Sequence, residues 1–561
     1  MLRLGPAITL ALLIGPVAAG LAGAALPAFG YLPALGGNTL SLAPFRALFA
    51  EPGLTTSVAL SLWTGLASAL LATTITLLFL AGWSGTRTFF WMRRMLSPLL
   101  ALPHAAAALG LALLISPSGF LMRLFSPWAT GFARPPDLLI VHDPAGLAVI
   151  AALVAKEVPF LLLMALAALP QTDADRLTRV AASFGYGRIS GFAFAVLPRL
   201  YPQLRLPIFA VIAFATSNVE VALVLGPTTP APLAVRLVTW MGDPDLARRF
   251  AASAGALLQI AVTGAALLLW LAFETLVKTI GCAMVRSGWR YRRDGGLRGI
   301  GAALALVCAA AIGLGLLCLA IWSVAAVWRF PDALPTHWTF AAWRDQAGAT
   351  TGLTATTAAI AALATLAALL LALTCLENES RRARPPGRRA LALVYVPMVV
   401  PQVSFLFGLQ VLLLAAEFTP SLATVAFAHL VFVLPYVFLS LGDPWRALDP
   451  RYGQVATALG TRPWTVFFRV RLPLLAPAVL TAAAVGFAVS VGQYLPTLLI
   501  GGGRIATVTT EAIALSAGGS RRLVGVYAVL QMVLPMLGFM VALAVPAIVF
   551  RNRLGMRQAQ T

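Results

Sequence analysis

The sequence predicts an all-α protein that crosses a membrane about twelve times and consists of two related halves. Hydrophobic residues make up 60% of the 561 residues, charged residues only 11%, and the mean hydropathy is +0.89. A water-soluble fold has too little interior for so much apolar surface, so lipid must be the solvent. In lipid every backbone group is hydrogen-bonded internally, and the Leu, Ala and Val content favours helices over a barrel. A motif that occurs twice, 275 residues apart, indicates the duplication.

The spanning helices are predicted from stretches of about 20 mostly apolar residues. In the first half they lie near residues 6–28, 54–82, 96–116, 144–169, 200–225 and 251–281. In the second half they lie near residues 298–328, 351–376, 390–416, 421–442, 474–499 and 524–550. The fourth is interrupted by two charged residues and the tenth is short. The first resembles a signal peptide, but its length and the many spans that follow favour a retained helix.

The net charge of +21 needs a separate explanation, because apolar spanning helices do not account for it. In a soluble protein it would suggest nucleic acid. Here we predict no nucleic-acid partner, because arginine-rich loops at residues 83–95, 285–299 and 377–390 would lie on the cytoplasmic face. This arrangement places both the N- and the C-terminus in the cytoplasm. The four cysteines lack the spacing of metal ligands and are predicted to be small packing residues.

The repeated motif runs over residues 179–198 and again over residues 454–473. Each copy has a small-residue helical turn followed by a glycine. A Leu-Pro pair follows, with its proline thirteen residues after the glycine, and an arginine lies nine residues before the glycine. These landmarks are Arg176, Gly185 and Pro198 in the first copy and Arg451, Gly460 and Pro473 in the second. Two matched polar helices in a membrane protein predict two matched docking points on one side of the membrane.

Other landmarks repeat as well. Asn218 and Gln493 both lie 33 residues after their motif glycines. Pro103 and Gly110 have the same spacing as Pro401 and Gly408. Six spans in each half give the halves the same orientation. We therefore predict a first module at residues 1–281, a charged, helix-poor cytoplasmic linker at 282–299 and a second module at 300–561.

The spacing of the motif suits a short helix on the cytoplasmic surface that docks into a partner. Small residues would form a flat face for close approach: Ala181, Ala182, Ala456 and Ala458. The glycines permit a sharp exit from the helix, and proline is tolerated in the first turn of the next one. The alternative is an ordinary amphipathic helix at the interface. Two copies with the same spacing favour docking.

The motif resembles the EAA loop of binding-protein-dependent ABC importer permeases of type I. The whole chain is similar to the fused branch, in which two parallel six-helix (MetI-like) modules share one chain, as in thiamine and ferric-iron permeases. The resemblance implies that residues 176–188 and 451–463 dock on the ATPase. The usual leading glutamate is replaced by Arg179 and Gln454, so any acidic contact that it makes is absent or altered here.

The resemblance and the composition together predict the partners. Neither of the two lysines lies in a GxxxxGK[ST] phosphate loop, so separate ATPase subunits, two copies, must supply the energy. A separate solute-binding protein and a small-molecule substrate, for which the resemblance suggests a thiamine-like compound, complete a system of the bacterial inner membrane. We predict no cofactor, no metal site and no catalytic residues, hence no enzyme.

Polar residues within spans are candidates for the translocation path. They are Lys156, Glu157, Asn218, Glu220 and Gln493. Adjacent helical residues point about 100° apart, so we expect that Lys156 and Glu157 do not both face one cavity. The alternative is pairing between helices, which is equally open for the two amides. His104 and His429 are predicted to be structural.

Two other classes of protein fit parts of this pattern. An ion-gradient-driven secondary transporter also has twelve helices with parallel repeats, but it does not need two matched surface helices. A membrane enzyme would need clustered catalytic or metal-binding groups, which the sequence lacks. The outer loops at residues 225–249 and 500–522 contact the binding protein or only connect helices, with glycine and proline permitting tight turns.

Overall fold

The computed structural model describes residues 4–96, 102–382, 387–518 and 520–551, and most of them are helical. The helices of the first half are α1 (Gly5–Ala28), α2 (Ala43–Ala50), α3 (Leu54–Trp83), α4 (Arg87–Leu96), α5 (His104–Ile115), α6 (Phe120–Phe125), α7 (Leu147–Ala168), α8 (Ala174–Ser183), α9 (Arg188–Gly191), α10 (Leu197–Thr216), α11 (Glu220–Leu225), α12 (Leu233–Met241) and α13 (Arg248–Arg286).

The second half has a similar series of helices and one small hairpin. Its helices are α14 (Gly295–Val324), α15 (Ala341–Asp345), α16 (Ala347–Arg382), α17 (Arg388–Val394), α18 (Val396–Val399), α19 (Gln402–Ala415), α20 (Leu422–Ala447), α21 (Arg451–Ala458), α22 (Pro463–Val466), α23 (Leu472–Leu474), α24 (Ala476–Val491), α25 (Leu495–Gly501), α26 (Val508–Ser516) and α27 (Arg521–Val549). Strand β1 (Ala325–Val327) pairs antiparallel with β2 (His337–Trp338).

The prediction of an all-α polytopic membrane protein is confirmed. Within the described ranges, nine helices are long and apolar enough to cross a membrane, and a pair bent by 75° before α24 makes ten. The count of twelve stays a prediction for two reasons. Helix α19 is only 14 residues long, and α10 carries Arg199 and Arg205 among its apolar residues.

The duplication is visible in where the helices begin. From α7 to α12, most elements start 275 residues before their counterparts, as with Leu147 and Leu422 or Glu220 and Leu495. The outer loops also contain a matched pair of helices, α12 and α26, which the sequence analysis did not predict. Their first residues, Leu233 and Val508, are fully buried. These segments are therefore part of the packed core and are more than connections.

The two halves are held together by a reciprocal exchange of helices. Helix α1 of the first half packs on α19 of the second, and α14 of the second packs on α5 of the first. Glycines allow both crossings. A Cβ atom on Gly315 would lie 2.9 Å from the carbonyl carbon of Gly110, and a Cβ on Gly408 would overlap the backbone of Gly20 and Gly23. Close backbone approach of this kind is typical of helix packing in membranes.

The segment between the halves has less irregular structure than predicted. Helix α13 continues to Arg286 and α14 begins at Gly295, so only residues 287–294 of the predicted linker are free of helix. This short segment packs against the first repeated loop, as described below. The boundaries of the two modules stay a prediction.

Candidate functional site: two repeated loops and a central cavity

The first repeated loop begins with the amphipathic helix α8 and turns at Gly185. This glycine has a φ of +82°, which a residue with a Cβ rarely adopts. The short helix α9 follows, then a π-helix at Phe192–Val196, and α10 begins at Leu197 with Pro198 in its first turn. Proline is tolerated there because the first N–H groups of a helix have no partner within it.

The second repeated loop has the same series of conformations. Helix α21 ends before Gly460, which has a φ of +79°. Helix α22, a π-helix at Phe467–Arg471 and α23 follow, and Pro473 again occupies the first turn. Because π-helices are rare, finding one at the same place in both copies shows that the repeat extends to backbone geometry.

The first loop is fastened to the segment that joins the two halves. The Ile189 N–H donates to Asp294 Oδ2 over 2.7 Å, and the Gly187 N–H donates to the Tyr291 carbonyl over 3.1 Å. Arg292 Nε donates to the Gly185 carbonyl over 3.1 Å. The Arg188 guanidinium donates to the carbonyl of Ser84, and burial, followed by the charge of Arg298, lowers the pKa of Arg188.

The second loop is fastened in a different way, through an ion-pair cluster. Glu377 at the end of α16 accepts from Arg381 Nε over 2.7 Å and from Arg471 Nη1 over 2.8 Å. Its side chain is only 3% exposed. Arg381 also lies over the Trp464 ring, with 4.8 Å from its guanidinium carbon to the ring centroid. The cluster therefore connects α16, α22 and the second π-helix.

Several predicted docking residues lie on an exposed surface. They are Arg176, Arg179, Ala182 and Pro198 in the first loop and Arg451, Gln454, Ala458 and Gly460 in the second, while Gly185, Ala456 and Pro473 are half-buried. Ala181 requires a correction. It is buried, and a Cβ atom added to Gly191 would lie 3.0 Å from the Cβ of Ala181. Ala181 thus packs α8 onto the protein itself and cannot form part of a flat face for a partner.

Exposed apolar residues on the two loops were missed by the sequence analysis. Val180 and Val455 lie five residues before their glycines, and Phe184 and Leu459 lie one residue before them. Phe184 is 61% and Leu459 80% exposed. The signal was present in the sequence, because both pairs repeat at the same spacing. Matched exposed apolar residues are typical of a protein contact surface.

The five predicted path residues all line one cavity of about 380 Å³ in the centre of the helical bundle: Lys156, Glu157, Asn218, Glu220 and Gln493. This corrects the expectation for Lys156 and Glu157, which both contribute to the wall. The cavity is wide enough to contact neighbouring faces of α7, so an angle of 100° does not separate the two side chains. Its volume is within the range of small-molecule sites.

Two interrupted helices shape this cavity. Helix α10 ends at Thr216 and α11 begins at Glu220, while α24 ends at Val491 and α25 begins at Leu495. Asn218 and Gln493 therefore lie in equivalent breaks. Broken helices at membrane depth are found where the backbone is buried in protein or lines a cavity. In transporters they often mark the substrate region.

The two predicted structural histidines have different positions. His429 is buried, and its Nδ1 and Nε2 lie 2.8 Å from Ser490 Oγ and 2.9 Å from Thr497 Oγ1. It is structural, as predicted. His104 lines the cavity, and its Nε2 lies 3.0 Å from Glu157 Oε1. His104 is thus a wall residue that sequence analysis missed, and its repeat counterpart, Gln402, also lines the cavity.

The described part of the chain contains no cluster of three or more His, Cys, Asp or Glu side chains with the geometry to hold a metal ion. Its four cysteines are free thiols, and Cys308 and Cys318 are buried among apolar helices. The site is therefore described by its loops and its cavity.

Known proteins with similar sequences identify the family. Residues 364–557 match the family model described as "Binding-protein-dependent transport system inner membrane component". The chain is also 32% identical to the inner membrane ABC transporter permease protein YnjC of Escherichia coli K12, over 92% of this chain and 93% of that protein. The chain belongs to this family of ABC transporter permeases.

Other relatives of the permease family match shorter parts of the chain. The molybdenum transport system permease protein ModB of Mycobacterium tuberculosis is 32% identical over 24% of this chain and 54% of its own length. A PotC homologue of the spermidine/putrescine system in Mycoplasma genitalium is 30% identical over 17% of this chain and 33% of its own length. These matches agree on the class of transporter and differ in the solute that they name.

Membership in the family decides between the classes considered above. An ABC permease is a multi-span protein of the inner membrane that works with ATPase and solute-binding proteins in general. It is a transport subunit. The secondary-transporter alternative has no support from these relatives.

Proposed function

We propose that this permease forms the solute pathway of an ABC importer and docks two separate ATPase subunits through its two repeated loops. The observation that carries the proposal is the shared geometry of the loops: a surface helix, a glycine with positive φ, a π-helix and a proline-led helix in both copies. Two equivalent surfaces suit two copies of one partner. The loops lie on the cytoplasmic side, together with both termini.

The contact surface combines basic and apolar groups. Arg176, Arg179 and Arg451 are exposed around the apolar residues Phe184 and Leu459. Because Arg179 replaces the usual acidic residue, the partner surface carries acidic or neutral groups opposite it. When ATP closes the ATPases, the two loops move together, and the attached helices α10 and α24 open the cavity to the outside.

The substrate is a small solute delivered by a separate binding protein. A thiamine-like compound is the first candidate, since residues 428–441 and 500–515 resemble thiamine-type permeases. Titrating candidate solutes against the partner binding protein tests this assignment independently of the loops. Failure of thiamine to bind would remove the candidate and leave the docking proposal intact.

Docking is tested by placing charges on the exposed apolar residues. In the double variant Phe184→Asp, Leu459→Asp, we expect the ATPase to be lost during co-purification and ATP-driven uptake into proteoliposomes to stop. The control is Trp128→Asp, because Trp128 is 75% exposed but lies in a different segment. Normal uptake by the double variant, with the control also normal, would refute docking through these loops.

A further inference from the structure

Among the residues that the structure describes, the charged side chains of the central cavity come from one half of the chain. Lys156, Glu157, Glu220 and His104 belong to the first half, whereas the second half contributes amides, hydroxyls and apolar groups. Counting only Asp, Glu, Lys and Arg, the described wall has two carboxyl groups and one amino group, which gives it a formal charge of −1. An excess charge in a membrane-embedded cavity is costly unless something compensates it.

Glu220 is the origin of this excess. Glu157 already contacts His104, whereas Glu220 makes no hydrogen bond or ion pair with any other residue that the structure describes. It is half-buried at the start of α11, beside the helix break. Its counterpart in the second half is Leu495, which also lines the cavity. The carboxylate is thus specific to one side of the pseudo-symmetric site.

Asn218 provides a second, independent indication of a ligand. It is only 6% exposed. Its Oδ1 accepts from the Val221 N–H over 2.8 Å, but its Nδ2 has no hydrogen-bond partner within the described ranges. Buried polar groups are normally paired. A donor left over in a cavity wall is therefore suited to an acceptor atom of a bound solute.

Aromatic rings form much of the remaining wall: Phe160, Phe214, Phe432, Tyr436, Tyr494 and Phe539. The faces of such rings attract cations, and this attraction is stronger where water is excluded. They also provide apolar area for the body of an organic molecule. An inorganic oxyanion would gain nothing from these rings and would be repelled by Glu220.

We propose that the cavity is a binding site within the membrane for a small organic cation, which pairs with Glu220 and accepts a hydrogen bond from Asn218. The proposal rests on the proposed function in that the cavity is taken to be part of the solute pathway. It adds a selective step inside the permease, after the binding protein. The asymmetry of charge orients the solute with its cationic end toward α11.

The test measures binding to the full-length permease in lipid nanodiscs, without ATPase or binding protein. The probes are choline, whose hydroxyl oxygen is able to accept from Asn218, and, as an anion of similar size with the same hydroxyethyl group, isethionate, each titrated calorimetrically. We expect saturable binding of the cation only. Glu220→Gln keeps the shape and removes the charge, and it should weaken cation binding at least about tenfold. The control Glu511→Gln alters a carboxyl outside the cavity and should have no effect.

A second variant separates loss of charge from misfolding. In Glu220→Gln, Leu495→Glu the carboxylate is moved to the equivalent position of the other half, and cation binding should return. Equal binding of both probes, no binding of the cation, or unchanged binding in Glu220→Gln would overturn the proposal. This binding assay contains no ATPase, so a negative result would overturn the cation site without bearing on loop docking. Loop docking is measured separately, by co-purification of the ATPase.

Discussion

The turn at Gly460 allows the backbone contribution to docking to be measured by itself. Its φ is +79°, and a Cβ atom added there would have no atom within 4 Å. The substitution Gly460→Ala therefore meets no steric clash and acts only through the left-handed conformation. That conformation costs a residue with a Cβ about 1–2 kcal/mol. If the ATPase binds only the bent loop, its affinity should fall about 5- to 30-fold.

The comparison with Gly185 sharpens this prediction. Gly185 has the same conformation, but an added Cβ would lie 2.8 Å from Arg292 Nη2. Arg292 donates to the Gly185 carbonyl, so Gly185→Ala should disturb this contact as well and weaken docking more than Gly460→Ala. Gly460→Asn should be the mildest change, because asparagine tolerates positive φ.

The assay is the equilibrium affinity of the purified ATPase for the permease in nanodiscs, with insertion verified by gel filtration. Variants of each loop are measured on chains whose other loop is unchanged. An unchanged affinity of Gly460→Ala, or a weaker affinity of Gly460→Asn than of Gly460→Ala, would refute the argument that the left-handed turn positions the docking helix.

Three further predictions concern the framework around the site. Glu377→Gln should loosen the second loop by about 1–3 kcal/mol, since it removes the carboxylate that accepts from the half-buried Arg471 and the exposed Arg381. Hydrogen exchange at residues 451–471 should rise, and the first loop should not change. Gly315→Val should lower the free energy of unfolding by about 3 kcal/mol or more, because the side chain overpacks against α5, and should lower the yield of folded protein. The control Gly313→Val should do neither, because a Cβ atom at Gly313 has no atom within 4 Å. In a chain with Cys282 as its sole cysteine, this exposed thiol should react with an impermeant maleimide in inside-out vesicles only; labelling in right-side-out vesicles would contradict the proposed orientation.

Much of the architecture could be predicted because membranes impose a simple rule on sequence. A run of about 20 apolar residues is enough to indicate a span, and the helices confirm this at α1, α3, α14 and α16. The rule gives a weaker signal at α10, which carries the exposed Arg199 and Arg205 among its apolar residues, and at α19, which is only 14 residues long. The matched helices α12 and α26 were missed because their glycine- and proline-rich surroundings are typical of turns.

Residues of the candidate site could be predicted where they differ from the sequence immediately around them. They could not be predicted where their role depends on partners that are distant in sequence. Polar residues in apolar runs led directly to the cavity, since such residues are costly unless they have a use. Asp294 and Glu377 gave no such signal. They contact the repeated loops from 105 and 94 residues away in sequence, at Ile189 and Arg471. Ala181 was misassigned because composition alone does not tell which face of a short helix is turned inward.

The different attachments of the two loops bear on how ATP-driven motion enters the membrane. The first loop is hydrogen-bonded to Asp294, which directly precedes α14 of the second half, and α14 crosses α5 of the first half at Gly315. A displacement of this loop therefore acts on both halves at once. The second loop is bound through Glu377 to α16 of its own half. If the two loops dock ATPase subunits as proposed, equivalent docking surfaces are connected to the spanning helices in different ways. The cavity has a matching asymmetry, because the charged side chains of its described wall belong to the first half. In a fused chain the two halves are free to diverge in this way, because no subunit has to serve in both positions.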